Sequence, residues 1–165
     1  MGTQREVEIY LPPNYKNTEE RYPVVYLHLG TLGRRLGHID QAVDQLIRQK
    51  RIDPILLVLI QENAAGYYRE IFWDTESMQK YAEMFVEEIV PFIDQNYRTV
   101  QDPTGRTNIG MEFSGCVAMY TGLKYPNKFA HLASQSSVFW DRGGEKLVAD
   151  LIAKKSNRPA KIYLE

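Results

Sequence analysis

The sequence is short of several things, and each shortage closes off a class of protein. Cysteine occurs once in 165 residues, as Cys116. An internal disulfide is therefore impossible, and a reducing, cytoplasmic compartment is the simpler expectation. No apolar run approaches the roughly 20 residues that a membrane helix requires. The opening, MGTQREVEIYLPP, lacks the basic-then-apolar pattern of a secretory leader. Charge of either sign is not in excess: 20 Lys and Arg stand against 21 Asp and Glu, a formal net charge of −1. A chain so balanced has no global field to attract nucleic acid or an anionic membrane, and neither is expected as a partner. Paired His, Cys and carboxylate spacings for a metal are missing, so no metal is expected. GTLGRRLG, residues 30–37, is rich in glycine but lacks the P-loop lysine and the dinucleotide-binding pattern, so no cofactor is expected either.

What is present is an ordinary globular composition, 44% hydrophobic and 25% charged. The length suits one domain over residues 1–165. VEIYL, Val7 to Leu11, alternates and stops at Pro12-Pro13, as a strand does. PVVYLHL and PILLVLI are continuous apolar runs, the pattern of strands covered on both faces. His38 to Lys50 has helical spacing through Ile39, Val43, Leu46 and Ile47. Glu76 to Asn96 has it through Tyr81, Phe85, Ile89 and Phe92, with Pro91 predicting a kink or an early stop. RTNIG, FAHLAS and KIYLE read as strands, while Phe113 to Tyr125 and Glu145 to Lys155 read as helices. Strands alternating with helices predict an α/β fold: a mostly parallel sheet with helices on both faces. Gly30 to Gly37 and Asn63 to Asp74 read as loops after buried strands, where open α/β sheets bind ligands.

The segment NIGMEFSGCVAMY, Asn108 to Tyr120, places a tight glycine-bounded turn between a strand and a helix. That is the arrangement of the G-x-S-x-G nucleophile elbow, in which the nucleophile's backbone is strained and neighbouring chain passes close by. Here the slots are filled by Gly110-Met111-Glu112-Phe113-Ser114: Glu112 stands where the serine belongs and Ser114 where the second glycine belongs. Ser114 lacks the flanking glycines of a nucleophile and is only a weak alternative to Glu112.

Nearly the whole chain resembles the enterochelin-esterase and esterase D group of α/β-hydrolases. VEIYLPPNY matches the opening strand and Pro-Pro turn of that group. YPVVYLHLG resembles its second strand, and YAEMFVEEIVPFIDQNYRT the helix before the elbow strand. GMEFSGCVAMYTGLKYPNKFAHLASQSSVFW resembles the elbow, its helix and the following strand, with LKYP.KF and the Ser-Gln-Ser ending as the specific parts. The resemblance implies an α/β-hydrolase fold shortened at its C-terminal end, and hydrolysis of a carboxylic ester. It implies an oxyanion hole from the amide of Phe113 and one near Leu29 or Gly30. It also implies a substrate loop in GYYREIFW: Arg69 and Glu70 either contact a polar group of the substrate or form a loop salt bridge, and Tyr68 and Trp73 either wall a pocket for a small-molecule ester or acid or pack the loop onto the sheet.

Two departures from the family pattern bear on activity. A glutamate cannot perform the alkoxide chemistry of serine, although other α/β-hydrolases carry an aspartate at the elbow and form an ester through it. The family's order of nucleophile, acid and histidine also puts the histidine beyond a strand like KIYLE, whereas this chain has only His28, His38 and His131. His28 is expected to shape a loop, His38 to start a helix facing solvent, and His131 to be packed or exposed in its strand. Cys116 is expected to be a buried, inert thiol, and Arg34 with Arg35 a solvated pair. The expected protein is an esterase scaffold with impaired or no activity, or a non-catalytic binding or assembly module on that scaffold. A sheet ending on KIYLE also presents an edge, and edges invite pairing with a second chain, so a homodimer is expected there.

Overall fold

The computed structural model describes residues 5–28, 30–61, 75–139, 143–154, 159 and 161–165. Six strands form one sheet: β1 (Val7–Tyr10), β2 (Val24–His28), β3 (Leu56–Ile60), β4 (Arg106–Met111), β5 (His131–Gln135) and β6 (Lys161–Leu164). Their order across the sheet is β1-β3-β2-β4-β5-β6. Only β1 runs antiparallel, pairing Val7 with Ile60 and Tyr10 with Leu57 of β3. The other neighbours are parallel, as helical crossovers dictate.

The central strands are buried on both faces of the sheet. In β3 every side chain is buried, and alternate residues point to opposite sides. Leu56, Val58 and Ile60 join Val24, Tyr26 and Phe129 in the larger core. Leu57 and Leu59 join Leu27 in a smaller one, on which Ile39 and Val43 of a helix pack. The apolar runs noted in the sequence are therefore runs because each residue faces one core or the other.

Helices connect the strands: α1 (Gly30–Gly37), α2 (Ile39–Arg48), α3 (Thr75–Met84), a π turn (Phe85–Ile89), α4 (Val90–Asn96), α5 (Phe113–Lys124) and α6 (Gly144–Ala153). Among the described residues no helix is long and apolar enough to cross a membrane.

Two sequence expectations need correction. Residues 30–37 were expected as a loop, yet they form α1. Glycine disfavours an isolated helix by about 1 kcal/mol per residue, but here packing overrides propensity. A Cβ on Gly30 would lie 2.7 Å from Leu59, and one on Gly33 would lie 2.9 Å from Leu27, so the glycines let the helix lie directly on the sheet. Arg34 and Arg35 of α1 are exposed, as expected of a solvated pair, and Arg34 is in addition ion-paired with Glu8 of β1 and Asp40 of α2. The second correction concerns the apolar stripe around Pro91, where a kink or an early stop was expected. The helical path runs on to Asn96, with a π turn directly before Pro91. The wider turn advances the buried stripe by one position, so Val86, Val90 and Ile93 are buried while Phe92, assigned to the stripe by its spacing, is 53% exposed.

Candidate functional site

β4 alternates buried and half-buried residues up to Met111, and α5 begins at Phe113. Glu112 is the single residue between them, with φ 50° and ψ −124°. A non-glycine residue with positive φ is strained unless its surroundings over-determine it. They do so here. The Glu112 N–H donates to the carbonyl of Gln135 at 3.0 Å, and its carbonyl accepts from Val138 at 3.1 Å and from Gly115 at 3.2 Å. The bend is thus clasped by the end of β5 and the segment that follows.

Ser114 closes the bend from inside. Its Oγ donates to the Met111 carbonyl at 2.8 Å and accepts from the Met111 N–H at 3.0 Å. The side chain is fully buried, with its hydroxyl committed to the backbone of the turn. Gly110 is required by the same closeness, because a Cβ there would lie 2.1 Å from the Ser114 carbonyl oxygen. Gly115 abuts the serine-rich segment that clasps the bend, and a Cβ there would meet Ser137 Oγ at 1.6 Å. Ser137 Oγ in turn accepts from Ser134 at 2.6 Å.

The Glu112 side chain is exposed and makes no capping bond to α5. It stands at the carboxyl end of β4, beside a helix N-terminus whose partial positive charge favours a carboxylate. Phe113, next in sequence, opens α5 and is half-buried. Gly30 opens α1 at the carboxyl end of β2. The remaining sequence candidates, Leu29, Tyr68, Arg69, Glu70 and Trp73, lie outside the described residues.

All three histidines are described, and only His28 is held in the core. His28 is buried in β2, its Nδ1 2.8 Å from Tyr81 Oη and its Nε2 2.8 Å from Asn108 Oδ1. Asn108 Nδ2 donates to the Ala118 carbonyl at 3.1 Å. With Oδ1 accepting, His28 carries its proton on Nε2 and accepts from Tyr81 at Nδ1. Burial pushes its pKa down to about 4, the nearby Arg5 charge adding to the effect and the Asn108 bond opposing it. It is a neutral bolt joining β2, α3 and β4, with both ring nitrogens in use. His38 is exposed, with φ 44°, and starts α2. His131 is half-buried in β5, between Thr107 and Lys161 of the neighbouring strands. Cys116 is buried, and burial raises its thiol pKa to about 11, so no thiolate is available.

Sequence reasoning missed Asn108, Ser114 as a clasp, and the Gln135–Val138 brace. One signal for Asn108 was available: an amide in the middle of a short strand that crosses the core. Among the described residues no group of three potential ligands could hold a metal ion. A hollow of about 560 Å³ lies between β1 and α2, lined by Tyr10, His38, Asp40 and Asp44; Glu112 takes no part in it.

Residues 1–164 match the family model described as "Putative esterase". The chain is 32% identical over 129 residues to the uncharacterized protein YjcH of Bacillus subtilis, covering 78% of this chain and 53% of that protein. It is 28% identical over 137 residues to the iron(III) enterobactin esterase of Escherichia coli, covering 78% of this chain and 32% of that protein. The structure of the enterobactin esterase FES from Shigella flexneri superposes with a TM-score of 0.78 at 20% identity, over 96% of this chain and 40% of that one. Against the first curated relatives the chain spans little more than half their length, 53% and 58%.

Proposed function

Because this chain belongs to the Esterase family of α/β-hydrolases, we propose that the strained bend at Glu112 is the family's nucleophile elbow and that the 165-residue chain retains the esterase scaffold with little or no ester-hydrolysing activity. The observation that carries this reading is the positive φ of Glu112, on an exposed side chain between a central strand and a helix N-terminus. The backbone of a nucleophile position is kept while the residue on it is a carboxylate.

The chemistry follows from what surrounds that side chain. A serine at an elbow needs a base to take its proton; His28 is bound at both ring nitrogens, His38 starts α2, and His131 stands at the opposite end of β5 from Gln135, which braces Glu112. A carboxylate at the same point stands close to where a tetrahedral oxyanion would form. It opposes the amides, Phe113 N–H and one near Leu29 or Gly30, that would stabilise that oxyanion. Loss of a triad serine or histidine costs on the order of 10⁶ in kcat. Binding and an oxyanion hole alone leave roughly 10³–10⁴ over water. Relatives named as enterobactin esterases support a small-molecule ester, or the acid derived from it, as the ligand class. The aromatic GYYREIFW segment, with Tyr68, Arg69, Glu70 and Trp73, is the stretch proposed to meet it.

The test is hydrolysis of p-nitrophenyl acetate by the 165-residue chain and by its Glu112→Ser variant. Both are expected to fall about four or more orders of magnitude below an ordinary serine esterase. The serine variant gains nothing appreciable, since no base serves it. Turnover comparable to ordinary esterases by the unaltered chain overturns the reading. Should a thermal-shift screen of aryl esters and acids raise the melting temperature while turnover stays absent, the chain acts as a binding module on this scaffold.

A further inference from the structure

We propose that the bond between His28 and Asn108 is a bridge across the crevice of this sheet, and that the two residues are a positioning pair that fixes how far the elbow stands from Gly30. The inference rests on reading Glu112 as the elbow, and it concerns what holds that site in shape. It begins with where the ladders stop. β2 pairs with β3 as far as His28 and Ile60, and β4 pairs with β5 as far as Met111 and Gln135. Between β2 and β4 the ladder ends lower, at Leu27 and Ile109. Gly110 and Met111 therefore keep a ladder partner on the β5 side alone, and the two central strands part above Ile109.

The parting falls where the chain changes direction. From β2 the chain leaves through α1 and α2 toward β3, and from β4 it leaves through α5 toward β5, on the other side. Open α/β sheets bind ligands at such a switch point, outside the carboxyl ends of the strands. The groups proposed for the site flank it: Gly30 opens α1 just after β2, and Glu112 and Phe113 follow β4 directly. A crevice of this kind serves the site only at a set width, because amides that share one oxyanion must both lie about 3 Å from it.

The His28–Asn108 bond supplies that width. Continued upward, the ladder would set His28 opposite Gly110; the ring reaches back instead to Asn108, two residues earlier on the same face. Side chains so placed are diagonal neighbours, within reach of long groups. Nε2 lies 2.8 Å from Oδ1, and both residues are fully buried, so water does not compete for the bond. Both ends are themselves held. Asn108 Nδ2 donates to the Ala118 carbonyl of α5 at 3.1 Å, and Tyr81 Oη of α3 donates to Nδ1 at 2.8 Å. Ser114 Oγ also lies 3.5 Å from the His28 carbonyl, but that contact is long, and the hydroxyl is committed to Met111 at 2.8 Å. Among the described residues, the bridge is the last short tie between β2 and β4 before they separate.

Native-state amide hydrogen exchange of the 165-residue chain tests this. Asn108→Leu and His28→Phe share one loss, the bridge; the first also gives up the Ala118 bond and the second the Tyr81 bond. Tyr81→Phe is the control, since it removes a bond to the same buried ring and leaves the bridge in place. After each variant's change in global stability is subtracted, both bridge variants should lower the protection of the β2–β4 ladder amides about tenfold or more relative to those of the β4–β5 ladder. The Glu112 amide, bonded to Gln135 of β5, should keep its protection. Tyr81→Phe should leave the ratio of the two ladders as it was. An unchanged ratio in either bridge variant, or an equal fall in Tyr81→Phe, overturns the proposal. Where one bridge variant fails to fold, the other decides against the same control. Ester hydrolysis does not enter the measurement: turnover of p-nitrophenyl acetate would overturn the reading of function and leave the bridge standing.

Discussion

Glu112 sits at φ 50° because both its backbone polar groups are held from outside, by Gln135 and by Val138. Nothing in its own side chain favours that conformation, since it makes no capping bond. A glycine reaches such a φ without a Cβ penalty, so Glu112→Gly should stabilise the fold. Relief of strain outweighs the added freedom of the unfolded chain, for a net gain of about 1 kcal/mol. Thermal unfolding should show a rise of about 2–4 °C. Glu112→Ala keeps the Cβ and should leave the midpoint nearly unchanged. Equal behaviour of the two variants would show that the strain is not at this residue. The identity of position 112 was legible in the sequence, because glycine at 110 and the helix after Phe113 frame it. Its stored strain was not, because the brace comes from a segment more than twenty residues downstream.

At the scale of elements, the helical path over residues 75–96 is tied to β4 by a buried ion pair, Asp94 Oδ2 to Arg106 Nη2 at 2.6 Å. Asp94 Oδ1 also accepts from Thr99 Oγ1 at 2.6 Å. Removing one partner of a buried pair strands the other charge. Asp94→Ala should therefore cost about 3 kcal/mol, read as a lower urea midpoint, and Asp94→Ala with Arg106→Leu should recover part of that loss. This region also marks where reading by periodicity stops. The strands were legible because a fully buried strand has no polar alternation to confuse, and the parallel order followed from alternating elements. The stripe through Tyr81, Phe85 and Ile89 was legible as well. Phe92 was not, because a period of 3.6 carries no notice of a five-residue turn. α1 was hidden for a related reason: its glycines argue against helix locally, and only the nearness of Leu27 and Leu59 reverses that argument.

For the molecule as a whole, His28 links stability to pH. Its folded pKa, about 4, lies below the ordinary value of 6.5. Between those values the unfolded chain binds the proton and the folded one does not, so stability rises with pH across the window. The contribution is fully present above about pH 6.5 and is lost as pH falls toward 4, for a total of about 3 kcal/mol. Unfolding free energies from urea titrations between pH 7 and pH 4 should carry a fall of that size from this residue in the unaltered chain. In His28→Gln the same group's share of the slope should vanish, whatever the variant's absolute stability. The brace at Glu112 reaches further than stability. Because its N–H is tied to Gln135 and its carbonyl to Val138, the bend cannot swing unless the end of β5 swings with it, so the sheet itself aims that carboxylate.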